Sequence, residues 1–506
     1  MSSKILSAAV IGLDSKPVEV EADNSPHGNP GVFIVGLPDK AVDESRLRVR
    51  SAIKNSGAQF PRGNVTINLA PADLKKVGTY YDLPIAITCL QQSEQIKLGD
   101  WENNLFVGEL SLDGILRPVN GILSIAIMCK ERGIKNIFVP SANSAEAGLV
   151  DDINVFGVEN LKQLIEHLNG EGQISRYISN NNAMFDVGQF EIDMAHVRGQ
   201  DHAKRALEVA AAGSHNILMS GPPGSGKTML AKATVSILPK MSLDESLDVT
   251  KMYSAAGILP ADKPLISKRP FRSPHHTASG VALVGGGSWP RPGEISLAHR
   301  GVLFLDEFLE FPKSVLENLR QPLEDGVISV SRASGTISFP ATFMLVAAMN
   351  PCPCGFSSDP DRNCLCSPSN IMIYQKKASG PLLDRIDLHV EVPRIDFEKL
   401  EHEGIGESSD NIRMRIQRAR NIQNQRFKEE SIIDNSEMSS EQVNKYCYLS
   451  EECKDILRSA AEKLHLSARA YYRVLKISRT IADLAEESDI SASHVAEALQ
   501  YRPTIE

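Results

Sequence analysis

Gly221-Pro-Pro-Gly-Ser-Gly-Lys-Thr228 follows a short apolar run at 216–220 and precedes a stretch with helical periodicity at 229–235. Glycines at these spacings let backbone N–H groups turn inward around phosphate oxygens, and the start of the following helix adds its positive end. In such a loop the lysine neutralises the terminal phosphates and the threonine hydroxyl binds Mg²⁺. The order strand, loop, helix therefore predicts a nucleotide-binding α/β domain. The predicted phosphate-binding residues are Gly221, Pro222, Pro223, Gly224, Ser225, Gly226, Lys227 and Thr228.

Two later apolar runs end in polar residues that suit phosphate chemistry. The run 302–305 leads into Asp306 and Glu307, and the run 343–349 leads into Asn350. Because the carboxyl ends of strands in an open α/β sheet meet at one edge, we expect these side chains to lie beside the phosphate loop. There Asp306 can hold Mg²⁺, Glu307 can act as general base toward water, and Asn350 can orient that water. The alternatives are a solvated strand end for the acidic pair and a simple turn for the asparagine.

Length and composition restrict the class of protein. At roughly 150 residues per domain, 506 residues predict about three domains, and 42% hydrophobic with 23% charged residues excludes wholesale disorder. The net charge of −9 argues against a globally basic nucleic-acid coat protein but permits a local basic channel. No apolar run approaches the roughly 18–20 residues that span a bilayer, and residues 5–13 predict a buried strand rather than a signal peptide. We therefore expect a cytoplasmic protein with no membrane association.

Four of the eight cysteines cluster in one segment. Four thiolates suit tetrahedral zinc, although the spacing C-x-C is less typical of zinc sites than C-x-x-C. The alternative is a set of reduced, unliganded thiols in a reducing cytosol. We expect a structural Zn²⁺, because no histidine or glutamate lies beside the cluster to activate water. The predicted ligands are Cys352, Cys354, Cys364 and Cys366.

Changes of pattern divide the chain into four segments. Residues 1–170 mix short strands with helices, and 171–190 are glycine- and asparagine-rich and read as a linker. Strand and helix signals alternate over 191–395, while 396–506 are almost purely helical. The predicted fold class is multi-domain α/β, with an α+β first domain and a C-terminal helical lid.

Two arginine motifs extend the nucleotide signature. The segment 382–388 is similar to the arginine-finger segment, and 466–471 to the sensor-2 motif, of the magnesium-chelatase-like branch of AAA+ ATPases. The resemblance implies an AAA+ P-loop core that hydrolyses ATP with Mg²⁺ as a homo-oligomer, with a hexameric ring as the family norm. It also implies that Arg385 reaches the neighbouring subunit's nucleotide and that Arg469 contacts the γ-phosphate. The alternative for either arginine is a surface ion pair.

The resemblance extends to two insertions of that branch. The segment 269–289 is similar to its helix-2 insert, and 321–340 to its pre-sensor hairpin, where β-rich runs at 327–331 and 336–339 flank a turn. In a ring such elements face the pore, where basic and aromatic side chains can follow a nucleic-acid backbone. The alternative is a structural hairpin with solvated arginines. The DNA-contact candidates are Lys268, Arg269, Arg272, Trp289, Arg291 and Arg332.

The first domain resembles the Lon-protease type, whose fold is that of ribosomal protein S5 domain 2. The turn at 108–121 carries this resemblance. Proteolysis there needs a serine activated by a lysine. Tyr80 stands near the serine position, and apolar Ile122 and Leu123 occupy the lysine position, so we predict a domain without protease activity.

The arrangement as a whole resembles the YifB/ComM family of bacteria. This resemblance implies a ring-forming, ATP-driven DNA motor, a helicase or branch-migration factor that acts on single-stranded or branched DNA in recombination during natural transformation. One alternative is a magnesium-chelatase-type remodeller that acts on a protein or metal-insertion partner. Another is a nucleotide-dependent ring that binds DNA passively.

Overall fold

The chain folds into two compact units in the computed structural model. The first unit comprises Met1–Asp186 and Ser246–Ser267, and the second comprises Val187–Glu245 and Lys268–Glu506. The structure describes residues 3–25, 31–178, 190–260, 262–287, 291–332, 335–359, 362–395, 406–463 and 466–502.

A seven-stranded mixed sheet forms the centre of the first unit. The strands of this unit are β1 (Ser3–Ile11), β2 (Asp14–Ser25), β3 (Gly31–Val35), β4 (Asn64–Ala70), β5 (Asn104–Phe106), β6 (Glu109–Leu110), β7 (Leu116–Arg117), β8 (Asn136–Pro140) and β9 (Asn154–Val158). The order in the sheet is β3-β4-β2-β1-β5-β8-β9. Only the pairs β1–β2 and β2–β4 are antiparallel among these neighbours. The helices are Lys40–Asn55, Asp82–Gln92, Ile122–Arg132, Ser144–Ala147 and Leu161–Leu168.

The segment Ser246–Ser267 belongs to the first unit, although the sequence pattern places it inside the 191–395 core. Its Ser254 hydroxyl accepts a hydrogen bond from the Gly121 backbone N–H at 2.9 Å and donates to the buried carboxylate of Glu146. Lys251 adds an ion pair with Asp14 at 3.0 Å. Burial raises the pKa of Glu146, and its hydrogen bonds oppose that shift. These contacts join residues far apart in the chain, so sequence periodicity carries no sign of them.

A parallel five-stranded sheet forms the centre of the second unit. Its strands lie in the order β11-β14-β17-β10-β18, and every neighbouring pair is parallel. The central strands are almost continuously apolar, as expected when helices cover both faces. Two antiparallel hairpins, β12–β13 and β15–β16, stand outside this sheet. The strands of the unit are β10 (Ile217–Ser220), β11 (Phe271–Arg272), β12 (Gly285–Gly286), β13 (Arg291–Pro292), β14 (Val302–Leu305), β15 (Val327–Arg332), β16 (Gly335–Pro340), β17 (Met344–Met349) and β18 (Leu388–Glu391).

The C-terminal helices share one hydrophobic core with this sheet. Ile416 and Ile481 are buried in the same cluster as Val346 and Ile217. Among the described residues, no helix is both long and apolar enough to cross a membrane. The helices that begin after Asp186 are Asp201–Gly213, Lys227–Ile237, Leu243–Ala256, Gly280–Val284, Glu294–Leu297, Lys313–Glu317, Arg320–Asp325, Pro368–Gln375, Gly380–Leu383, Ser409–Arg426, Ser440–Tyr446, Glu451–Lys463, Ala468–Leu484 and Ala492–Gln500.

Candidate nucleotide-binding site

The candidate site lies at the carboxyl edge of the parallel sheet. Strand β10 leads into the phosphate loop, and its neighbour β17 leads into Asn350. The Gly221 N–H donates to the Met349 carbonyl at 3.2 Å, so the start of the loop is fixed to the end of β17. Strand β14, on the other side of β17, leads into Asp306 and Glu307. The three strand ends are thus neighbours, as the sequence predicts.

Lys227 is buried at the start of the helix Lys227–Ile237. Its ammonium donates to the carbonyls of Gly221 and Pro222 at 2.7 and 2.9 Å. The Asn350 side-chain oxygen lies 3.5 Å from the same ammonium. Burial lowers the pKa of Lys227 to about 8, and the negative charge of Asp306 opposes the shift. The sheet therefore brings together the predicted phosphate-binding lysine and the predicted water-orienting asparagine.

Thr228 and Asp306 meet directly, because the threonine hydroxyl donates to the aspartate carboxylate at 2.8 Å. A hydroxyl and a carboxylate at this separation match the oxygen ligands that Mg²⁺ prefers. Glu307, the next residue, has a φ of +52°, a left-handed conformation that is uncommon for a residue with a β-carbon. Its side chain is half exposed, and its Oε2 lies 2.9 Å from Nδ1 of His276.

The two predicted phosphate-contacting arginines converge on a single carboxylate. Arg385 pairs with Glu324 and also donates to the Pro381 carbonyl at 2.6 Å. Arg469, from the helix Ala468–Leu484, lies 3.6 Å from the other oxygen of Glu324. The Arg385 guanidinium holds the pKa of Glu324 below its ordinary value. Both arginines therefore belong to one ionic group.

The four clustered cysteines form a compact group of sulfurs within 4.8 Å of one another. Cys364 lies 3.7 Å from Cys352 and 3.6 Å from Cys354, sulfur to sulfur. Sulfurs 2.3 Å from a tetrahedral zinc are about 3.8 Å apart, so the group fits the ion. Backbone N–H groups of Phe356 and Leu365 lower the pKa of the Cys354 thiol, whereas burial and the neighbouring thiols raise the pKa of Cys364. The group, completed by Cys366, could therefore bind a metal ion.

The DNA-contact candidates have different surroundings in the structure. Arg269 is half-buried in an ion pair with Glu245 at 3.0 Å, and Arg272 makes two contacts with Glu294 at 2.6 and 2.7 Å. Both guanidinium groups are thus paired with carboxylates of the same unit, and DNA contact by either arginine stays a prediction. The Lys268 ammonium lies 4.4 Å from the centre of the Phe190 ring.

Arg291 is exposed, on strand β13 of the smaller hairpin. Arg332 ends strand β15 at the turn of the larger hairpin, but its side chain lies outside the described residues. Trp289 also lies outside them.

The positions of the Lon-type dyad hold other residues with other contacts. Tyr80 is half-buried in the first unit. Ile122 and Leu123 are fully buried at the start of the helix Ile122–Arg132, where the Leu123 N–H donates to Glu146 at 2.8 Å.

Three residues that lie at the nucleotide site were not among the site residues predicted from the sequence. His276 contacts Glu307, Glu324 pairs with both arginines, and Gln200 donates to the carbonyls of Ser225 and Pro393. His276 and Glu324 stand inside the two insertion motifs, so proximity to those motifs was the available signal. Gln200 immediately precedes the helix Asp201–Gly213 and carries no comparable signal.

Known family profiles match three successive parts of the chain. The family "Subunit ChlI of Mg-chelatase" matches residues 18–143. The family "Magnesium chelatase, subunit ChlI" matches 193–400, and its C-terminal family matches 406–502.

Individual proteins are similar over the full length. The competence protein ComM of Haemophilus influenzae is 43% identical over 99% of this chain and 97% of its own. The uncharacterized protein YifB of Escherichia coli is 42% identical over 98% of this chain and 96% of its own. An archaeal Lon protease of Archaeoglobus fulgidus is 44% identical over 62 residues, which are 12% of this chain and 10% of the protease.

Proposed function

Because this chain belongs to the magnesium-chelatase-related family that includes ComM and YifB, we propose that it is an ATP-driven motor acting on DNA. The observation that carries the proposal is the meeting of Lys227, Asp306 and Asn350 at the carboxyl edge of one parallel sheet. The competence role named for the Haemophilus relative supports DNA as the substrate. The proposed activity is helicase or branch migration on single-stranded or branched DNA, in the cytoplasm, during natural transformation.

Each residue of the site has a role in ATP hydrolysis. Lys227 neutralises the terminal phosphates, while Thr228 and Asp306 would hold Mg²⁺, which neutralises further phosphate charge when bound. Glu307 takes a proton from water as the water oxygen bonds to the γ-phosphorus and the bond to ADP breaks. Asn350 aligns that water.

The contacts of Glu324 favour a shared role for the two arginines. Arg385 and Arg469 reach the same carboxylate from different elements, so they lie on one face of the second unit. We propose that this face meets the nucleotide of the neighbouring subunit in a hexameric ring. Both arginines would then stabilise the transferring phosphate from outside the subunit that binds it.

The first unit, the cysteine group and two arginines have separate roles in this proposal. The short match to Lon protease and the mixed sheet of the first unit support a Lon-like fold, and apolar Ile122 and Leu123 support the absence of protease activity. The cysteine group would hold a structural Zn²⁺. Exposed Arg291 and the hairpin-turn residue Arg332 are the DNA contacts that we retain.

The test is ATP-dependent strand release from labelled forked and four-way DNA by the full-length protein. Wild type should release the strand, whereas Lys227→Ala and Glu307→Gln should not. Lys232→Ala, an exposed lysine on the same helix, is the matched control and should behave as wild type. ATP hydrolysis without strand release, and without stimulation by DNA, would contradict the motor.

That last outcome would favour a magnesium-chelatase-type remodeller. The three family matches, all named for a magnesium chelatase subunit, support this second candidate. Its signature is ATP hydrolysis that a protein partner stimulates and that polynucleotides leave unchanged.

A further inference from the structure

The segment that follows strand β11 reaches the end of strand β14. Strand β11 pairs in parallel with β14, Phe271 opposite Val302 and Arg272 opposite Leu303. The Phe271 ring stacks on Phe304 with 5.9 Å between centroids, and the Arg272–Glu294 pair fixes the carboxyl end of β11. The chain beyond β11 therefore leaves the sheet from a fixed point beside the strand that delivers Glu307.

His276 is held in place by its immediate surroundings. Its ring lies 4.1 Å from that of His275, centroid to centroid, and stands edge-on to the buried ring of Phe311 at 6.4 Å. The turn itself is closed, since the Ala278 N–H donates to the His275 carbonyl at 2.9 Å and the Thr277 N–H donates to the His275 ring at 3.3 Å. These contacts restrict the orientation of the imidazole, although 30% of the side chain is exposed.

Glu307 reaches His276 from a constrained backbone. Its φ of +52° is sparsely populated for a non-glycine residue, and such outliers persist where the surrounding structure holds them. The 3₁₀ turn Phe308–Glu310 follows directly, with the Glu310 N–H donating to the Glu307 carbonyl at 2.7 Å. Nδ1 of His276 then lies 2.9 Å from Oε2 of Glu307. Since two lone pairs would repel at this distance, Nδ1 carries the proton.

We propose that His276 is a positioning residue that orients Glu307 for its attack on water through the contact between Nδ1 and Oε2. This inference rests on the proposed ATP hydrolysis and is independent of whether DNA is the substrate. With Oε2 fixed by the imidazole, Oε1 is the oxygen that takes the proton of the attacking water. Misplacing a general base by about 1 Å lowers turnover by about 100-fold, so the orientation of this carboxylate matters.

The test compares substitutions that keep or remove the N–H facing Glu307, in the full-length protein with ATP and Mg²⁺. His276→Ala should lower kcat by about 10–100-fold while KM for ATP and the affinity for a fluorescent ATP analogue change less than about twofold. His276→Asn places an N–H near the position of Nδ1 and should recover most of the lost turnover. His276→Gln places its N–H nearer the position of Nε2 and should recover less. His202→Ala, at an exposed histidine on the helix Asp201–Gly213, is the control and should keep the wild-type kcat.

Several outcomes would overturn the assignment. A wild-type kcat in His276→Ala would show that the orientation of Glu307 does not depend on His276. A higher kcat would show that His276 holds Glu307 away from water. Equal losses in the alanine and asparagine variants would assign the effect to ring packing. If the wild-type protein hydrolyses no ATP, both this inference and the proposed function are wrong. If it hydrolyses ATP but releases no strand, the DNA-motor proposal fails and the inference about His276 is unaffected. Thermal unfolding of each variant identifies those that fold as wild type does.

Discussion

Asp387 joins three parts of the second unit through one carboxylate. It accepts the Asn216 N–H at 3.1 Å and lies 3.6 Å from Nδ1 of His215 and 3.3 Å from Nε of Arg473. Burial alone would raise the pKa of Asp387, but its contacts with His215 and Arg473 lower it to about 2. A carboxyl group whose pKa is lower in the folded than in the unfolded protein stabilises the fold at pH values above its unfolded pKa. The stabilisation is lost as the pH falls toward the folded pKa.

Asp387→Asn should therefore destabilise the protein at neutral pH. The change removes the carboxylate charge that lies 3.3 Å from half-buried Arg473, and breaking a buried pair in this way costs about 3–5 kcal/mol. The difference from wild type should stay constant from pH 7 to about pH 4 and shrink below it. Urea unfolding across this pH range is the measurement, and exposed Asp384→Asn is the control. A difference that persists undiminished below pH 4 would contradict the ionic explanation.

Single residues of the site were predictable to different degrees. Lys227, Asp306 and Asn350 follow strands, and parallel strands deliver their carboxyl ends to one edge, so their meeting could be expected from the sequence. The pairing of Arg385 with Glu324 joins residues 61 positions apart and depends on how a helix packs beside the sheet. The ion pair of Arg269 with Glu245 joins residues 24 positions apart, so local sequence gives no sign of it.

The cysteine segment, residues 352–366, lies against the phosphate loop. Gly355 follows the second cysteine with a φ of +84°. A β-carbon at Gly355 would lie 2.5 Å from Cδ of Pro223, inside the loop. The backbone of the cysteine segment therefore rests against the phosphate loop, and only glycine permits this approach.

Gly355→Ala should weaken ATP binding as well as stability. Gly57 offers a matched control, because it has the same φ of +84° and an added β-carbon there would meet nothing within 4 Å. Both substitutions should destabilise by about 1–2 kcal/mol from backbone strain. Only Gly355→Ala should raise KM for ATP, since only it displaces Pro223. Steady-state kinetics and thermal unfolding separate the two effects, and equal KM values would refute the coupling.

The elements themselves largely follow from sequence periodicity. The hairpin expected from β-rich runs at 327–331 and 336–339 is present as β15 and β16, and the strand and helix expected around the phosphate loop are present as β10 and Lys227–Ile237. Buried residues alternate along β4, as expected when the core covers one face of a strand, whereas all residues of β14 are buried, as expected when both faces are covered. The membership of Ser246–Ser267 in the first unit follows from long-range hydrogen bonds, which periodicity does not encode.

At the scale of the whole assembly, mixing inactive subunits tests where each arginine acts. A mixture of the Arg469→Ala and Lys227→Ala proteins should regain ATP hydrolysis. At some nucleotide sites a subunit with an intact Lys227 would then lie beside a neighbour with an intact Arg469. In a randomly mixed ring about a quarter of the interfaces have this combination. If Arg469 served its own subunit, no site in that mixture would be intact. Arg385→Ala mixed with Lys227→Ala is the parallel experiment, and ATP hydrolysis at constant total protein is the measurement.

The discontinuous first unit has a consequence for biosynthesis. Its last segment, Ser246–Ser267, follows the phosphate loop in the chain, so the ribosome makes Gly221–Thr228 before the first unit is complete. A nascent chain folds from its N-terminus as it emerges. The buried carboxylate of Glu146 must wait for Ser254, and the first unit can reach its final form only after translation has passed Ser267.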